Sequence, residues 1–298
     1  MTQAIVNAMS VDVEDYFQVS AFEGVLSRSD WARISLRVER NVERILELFD
    51  EHDAKATFFT LGWLAERLPG MVRRISDAGH EVASHGMEHR RVTGMEPEAF
   101  RDDIRRSKAL LEDICGGEVR GYRAPSYSIG RDNLWALDEL AQSGFHYSSS
   151  IYPIQHDHYG MPEAPRFAFA PGDNGLLEVP VTTFELNGKT FPCGGGGYFR
   201  LYPYAVSRWA IRRVNDRDGE ATVFYFHPWE IDPGQPRIGG IGAKTRFRHY
   251  LNLGRTERRL ARLLQDFRWD RMDSVFAAPM RLAQGTDRGV AAERQGVA

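Results

Sequence analysis

The chain has 298 residues, enough for one large barrel-like domain or two smaller ones. A formal net charge of −3 without any long basic run argues against nucleic acid as a partner, and no stretch approaches the ~18 apolar residues of a spanning helix. Cys115 and Cys193 lack metal-type spacing and read as free thiols, and residues 1–9 carry no basic n-region, long apolar h-region or processing site, so the expected location is cytoplasmic.

Residues 5–13 read as a strand that runs into Asp12-Val13-Glu14-Asp15. Side chains alternate along a strand, so Asp12 and Glu14 share a face and Asp15 points elsewhere. Two close carboxylates raise one another's pKa unless a metal, an arginine or a proton intervenes. A solvated acidic turn is the plain alternative. Residues 18–31 are irregular, and Phe17, Phe22 and Trp31 either line a cleft or simply pack. From Leu36 to His52 the apolar positions Val38, Val42, Ile45, Leu46 and Phe49 follow helical spacing. A strand over 56–61 ends at Gly62, helical turns over 63–68 and 71–78 break at Pro69-Gly70, and a third strand over 80–84 delivers His85. His85 and His89 form an i, i+4 pair that presents two imidazole nitrogens to one ion if the backbone turns helically. With one carboxylate they make a catalytic zinc-type set that leaves a position open for water.

Glu96-Pro97 opens a helix that stops at Gly116-Gly117, and a fourth strand over 119–122 delivers Arg123. A helix over 131–143 leads to a fifth strand at 145–148, and a long connection over 151–175 leads to a sixth at 177–181. Gly194–Gly197 lacks a following Lys-Ser/Thr and reads as a flexible loop, not a phosphate cradle. After a helix over 203–214, the β-prone run 221–226 ends in His227-Pro228-Trp229-Glu230. Residues 232–243 read as loop, 255–267 as a basic amphipathic helix with a solvated face, and the chain from 284 onward as a disordered tail.

Strand and helix thus alternate around seven times, which implies a parallel sheet with helical crossovers. In closed barrels of this kind the site lies at the strand C-terminal ends. Asp12, Glu14, His85, His89, Arg123 and His227 all come directly after strand runs, and this shared position points to one site.

The ordered motifs Asp12-x-Glu14, Ser84-His85-x-x-x-His89, Arg123-x-Pro125 and Phe226-His227-Pro228 resemble the polysaccharide deacetylase family (carbohydrate esterase family four, the NodB-homology domain). Residues 11–17, 194–200 and 227–230 look more closely like its subfamily associated with exopolysaccharide production and exosortase systems. The resemblance spans about residues 5–275. It implies an α/β fold with a deformed (β/α)7-type barrel over residues 1–283, including a C-terminal helical extension. It also implies a divalent metal, zinc first, and removal of an acetyl group from an N-acetylated glycan. Carried over, Asp12 is the general base, Glu14, His85 and His89 hold the metal, Arg123 orients Asp12, and His227 is the general acid. Asp15 competes as a ligand, because the common family pattern has adjacent aspartates. Ser126 stands where the family has an aromatic residue, and no acid to support His227 is evident around Tyr147–Tyr152. Trp229, Tyr127, Tyr152 and Tyr198 receive no role; sugar stacking and plain packing both suit them.

Two other functions fit the residues: a C–N hydrolase of a small amide or cyclic imide, allantoinase-like, and a degenerate glycan-binding protein. A polymer substrate met in the cytoplasm implies a nascent or lipid-linked glycan, and with it peripheral contact with a membrane-bound biosynthesis complex.

Overall fold

The computed structural model describes residues 5–156 and 159–285. Strand β1 (Val6–Val13) is buried almost throughout and forms the hub of the sheet. It pairs in parallel with β2 (Thr57–Thr60), placing Val13 opposite Thr60. Strand β3 (Glu81–Ser84) lies beside β2, then β4 (Gly121–Tyr122), β5 (Tyr147–Ser148) and β6 (Leu177–Glu178), all parallel. On β1 lie also β9 (Val223–Phe226), with Val11 opposite Phe226, and β10 (Arg268–Asp270) beside its first residues. The order β9-β1-β2-β3-β4-β5-β6 is a seven-stranded parallel curl. It comes close to closing where Thr182 donates its N–H to the Val223 carbonyl and Gly195 bridges to Tyr225. This is the deformed (β/α)7-type barrel expected.

The crossovers are helical because their apolar positions recur at three- and four-residue spacing. Helix α1 (Val38–Glu51) buries Val38, Val42, Ile45, Leu48 and Phe49, and short α2 (Gly62–Arg67) and α3 (Pro69–Asp77) come after β2. Helix α4 (Pro97–Cys115) buries Phe100, Ile104 and Leu111 and ends on Gly116 at φ 66°. Helix α5 (Trp135–Gln142) precedes β5. Between β6 and β9 a hairpin, β7 (Thr183–Leu186) and β8 (Lys189–Pro192), turns at Asn187-Gly188 with both residues at positive φ. Two helices come after it, α6 (Gly196–Leu201) and α7 (Tyr204–Arg213).

The C-terminal region holds α8 (Ala243–Tyr250), α9 (Leu253–Asp266), α10 (Met272–Val275) and α11 (Ala277–Ala283). Met272, Phe276 and Met280 pack with Ala8, Phe59, Ala83 and Tyr147, so the last helices plug the barrel at the end where strands begin. The Met272 N–H donates to Thr57 Oγ1 and the Asp273 N–H to Glu81, both at strand starts. The tail expected from 284 lies, beyond Gly285, outside the described residues.

Two local expectations change. Gly194–Gly197 is not a flexible loop: a Cβ on Gly195 would sit 1.9 Å from the Tyr225 carbonyl oxygen and one on Gly194 2.4 Å from Val181 Cγ1. The glycines let the backbone lie flat against β9. Residues 85–89 are not helical either; Gly86 at φ 75° and His89 at φ 51° make a tight turn. It is held by Gly62 and Trp63, whose N–H groups donate to the Gly86 and Met87 carbonyls, and by Asp103, which accepts the Met87 N–H.

Candidate metal centre and active site

All strands of the curl run the same way, so the residues just past their C-terminal ends meet at one rim. The His85 N–H donates to the Thr60 carbonyl and the Arg123 N–H to the Ser84 carbonyl, fixing both residues just past β3 and β4. Glu14, His85 and His89 are buried, and each offers one donor atom within 4.8 Å of the others. Glu14 Oε2 faces His89 Nε2 at 3.0 Å, yet that oxygen is buried without a hydrogen bond. At this spacing the two atoms, with a nitrogen of His85, lie close enough to share one cation. His85 Nδ1 is occupied by the Arg123 carbonyl at 2.8 Å, which leaves Nε2 as the free donor. Burial holds His85 mostly neutral, with its pKa lowered to about 4. Burial also works against the Glu14 carboxylate, but His89, His227 and His85 outweigh it and bring its pKa to about 2. A carboxylate and two imidazoles suit a divalent ion of zinc type.

Asp15 is not part of this set. Its Oδ2 accepts the Arg37 and Val38 N–H groups at 2.6 and 3.0 Å, capping α1, and its Oδ1 accepts the Tyr16 N–H. The face alternation at the end of β1 separates it from Asp12 and Glu14.

Arg123 is fully buried over Phe59, with its guanidinium carbon 4.1 Å from the ring centroid. Its Nη1 donates to Asp12 Oδ1 at 2.6 Å and Ser10 Oγ at 2.9 Å; Nη2 donates to Ser149 Oγ at 3.0 Å and Nε to the Ser149 carbonyl at 3.1 Å. Asp12 Oδ2 is left facing His227 Nε2 at 3.9 Å. His227 Nε2 lies 3.1 Å from Glu14 Oε1, and its Nδ1 is 2.5 Å from Glu230 Oε1. Burial disfavours the imidazolium, but Glu14, Glu230 and Asp12 outweigh it and push the pKa to about 9.

Glu230 is thus the acid that supports His227. It is fully buried, and its other oxygen accepts from Arg200 Nε at 2.8 Å. The supporting acid lies just past β9 and not around Tyr147–Tyr152; its sequence signal is the i, i+3 spacing of His227 and Glu230 within one motif. Arg200, from α6, also donates to the His249 carbonyl at 2.7 Å, so the glycine-run region reaches the site through this pair. Trp229 is buried, stacked between His227 and His249 at centroid distances of 5.1 and 4.2 Å, which makes it packing.

Residues 32–147 match the family model described as polysaccharide deacetylase. Over that segment the chain is similar to the polysaccharide deacetylase family. Residues 149–277 match a second model, a domain of unknown function (DUF3473). The site crosses both: His85, His89 and Arg123 fall in the deacetylase segment, His227, Glu230 and Arg200 in the second, and Asp12 and Glu14 precede either. The chain is 30% identical over 152 residues to a peptidoglycan deacetylase of Helicobacter pylori, covering 51% of each protein. It is 33% identical over 100 residues to a chitooligosaccharide deacetylase of a Bradyrhizobium species, covering 33% of this chain and 43% of that protein. The matched part thus spans about half or less of these relatives' length. A putative polysaccharide deacetylase of Mycobacterium smegmatis shares the fold at a TM-score of 0.59 and 22% identity over 95% of both chains. An allantoinase shares it at 0.56 and 17% identity, covering 94% of this chain and 90% of its own. Among the described residues no helix is long and apolar enough to cross a membrane.

Proposed function

We propose that this chain is a metal-dependent deacetylase that removes the acetyl group from an N-acetylated glycan. The carrying observation is the meeting at one rim of a Glu14–His85–His89 donor set, an Asp12–Arg123 pair and a His227–Glu230 pair. The curated relatives named as deacetylases of peptidoglycan and chitooligosaccharides support the same class of substrate.

An amide is a poor electrophile with a poor leaving group. A divalent cation held by Glu14, His85 and His89 supplies Lewis acidity toward the carbonyl and acidifies water near neutral pH. Asp12, pinned through Oδ1 by Arg123, offers Oδ2 to take the proton of the attacking water. The C–N bond then breaks, and His227 gives a proton from Nε2 to the departing amine. Glu230 orients the ring and keeps Nδ1 engaged, so only Nε2 faces the reaction. The donor set favours zinc. The motif likeness favours a role in exopolysaccharide production, and the free thiols Cys115 and Cys193 suit a cytoplasmic setting.

The test is acetate release from an N-acetylglucosamine oligomer by purified protein, before chelation, after it, and after zinc is returned. The expected result is activity lost on chelation and restored by zinc. Full activity in protein stripped of metal would overturn the metal assignment. Ammonia release from a cyclic imide without acetate release would move the reading to an allantoinase-like hydrolase.

A further inference from the structure

Beside the metal donors is a cleft of about 540 Å³ to which the deacetylation chemistry gives no task. Its walls are the segment after β1, with Phe17, Glu23, Arg28 and Trp31, and the segment after β3, with Arg90 and Arg91. Both segments lead directly out of ligand-bearing stretches: Glu14 lies three residues before Phe17, and His89 immediately before Arg90. Arg28 ties the walls together, donating from Nε to the Glu88 carbonyl at 2.7 Å and from Nη2 to the His89 carbonyl at 2.9 Å. Those carbonyls engage two of its five N–H groups without cancelling its charge. The volume is that of a small-ligand site, and its lining combines the largely buried rings of Phe17 and Trp31 with a few charged groups.

The charge in the cleft is unbalanced. Arg28, Arg90 and Arg91 line it with one carboxylate, Glu23. Glu23 sits between two of them at loose distances, 3.7 Å to Arg28 and 3.2 Å to Arg91, with its side chain 38% exposed. Arg90 is exposed, and its charge also bears on Asp103, which accepts the Met87 N–H. A loosely held internal carboxylate between arginines marks where an external one fits.

Resting on the deacetylase reading, we propose that this cleft is a subsite for the carboxylate of an acidic glycan, bound by Arg28, Arg90 and Arg91, so that the preferred substrate carries a uronate next to its N-acetylated sugar. On binding, the sugar carboxylate takes the place of Glu23. Because Arg28 also holds the carbonyl of His89, the occupied subsite steadies the turn that presents a metal donor.

The test is calorimetric titration of the full chain at low salt with three glycans. They are a tetrasaccharide alternating N-acetylglucosamine and glucuronate, the neutral N-acetylglucosamine tetramer, and N-acetylglucosamine 1-phosphate. The acidic tetrasaccharide is expected to bind at least about tenfold more tightly than the neutral tetramer, and Arg90→Gln with Arg91→Gln to bring that preference close to unity. Glu23→Gln, which removes the internal competitor, is expected to tighten the acidic glycan several-fold, a gain that a misfolded variant does not mimic. Equal affinity for acidic and neutral tetramers, or a preference that survives the double variant, would overturn the subsite. Tighter binding of the phosphate alone would overturn its assignment to a carboxylate. Acetate measured in parallel separates the two readings: selective binding without acetate from any glycan sinks the deacetylase and leaves the subsite standing.

Discussion

Removing the Arg123 guanidinium while keeping its bulk, as Arg123→Met, tests whether the barrel interior is built around the Asp12 pair. Arg123 is fully buried and its guanidinium makes four hydrogen bonds to oxygen, the shortest to Asp12 at 2.6 Å. The substitution strands a buried carboxylate and the Ser149 acceptors, and breaking one partner of such a pair costs about 3–5 kcal/mol. Asp12→Asn keeps the shape but leaves the Arg123 charge buried without its counter-charge, at a comparable cost of about 3–5 kcal/mol. With both changes no charge is left uncompensated, so the double variant is expected to be more stable than the sum of the singles implies, by about 2 kcal/mol. The assay is urea unfolding of metal-free protein followed by tryptophan fluorescence, which keeps ligand linkage out of the comparison. Against a typical total of ~5–15 kcal/mol each single variant retains a measurable transition. If the two substitutions add within about 0.5 kcal/mol, Arg123 does not act on Asp12 and the proposed base loses its orienting partner.

Glu230→Gln is expected to cost about 10²-fold or more in acetate release while metal content stays as in the wild type, because the anion that supports His227 and pairs with Arg200 is lost but no metal donor is touched. Wild-type turnover in that variant would show that His227 needs no anion. Glu178, fully buried and accepting the Ser150 and Ile151 N–H groups, has its pKa raised from 4.5 to about 7, chiefly by burial. A carboxyl raised on folding adds stability in full below about pH 4.5 and loses it as pH rises through 7, here about 3 kcal/mol. Glu178→Gln should therefore flatten the decline in unfolding free energy between pH 5 and 8, and an unchanged slope would refute the assignment. Gly195→Ala, at φ 116° with its Cβ 1.9 Å from a carbonyl oxygen, is expected to lose about 3 kcal/mol or more. Gly172→Ala, with nothing within 4 Å, is the near-neutral control, and the same urea unfolding reads both.

The crossovers and the residues at strand ends are legible in the sequence because each depends on short-range pattern. Helix α1 shows its buried face in the spacing of Val38, Val42 and Ile45, and β1 announces the shared face of Asp12 and Glu14 by simple alternation. Short elements are harder. Strands β4, β5 and β6 have two residues each, so their extent is set by neighbours and not by their own propensity. The β7–β8 hairpin turns on Asn187-Gly188, a readable signal for a hairpin that the strand pattern alone does not suggest, whereas β10 and the plug helices α10 and α11 gain their order from packing into the barrel mouth.

Residue types and their order along the chain are enough to name the six side chains at the rim, since parallel strands carry the residues at their C-terminal ends to one end of the barrel. Three-dimensional packing alone decides which neighbours those side chains answer to: Asp15 to the start of α1, Arg123 to Asp12 and Ser149, His227 to Glu230, and Glu230 to Arg200. The reason is physical. A carboxylate has the same local chemistry whether it caps a helix, steadies an imidazole or shares a cation, and what separates these fates is the distance, within a few tenths of an ångström, to groups far away in the chain.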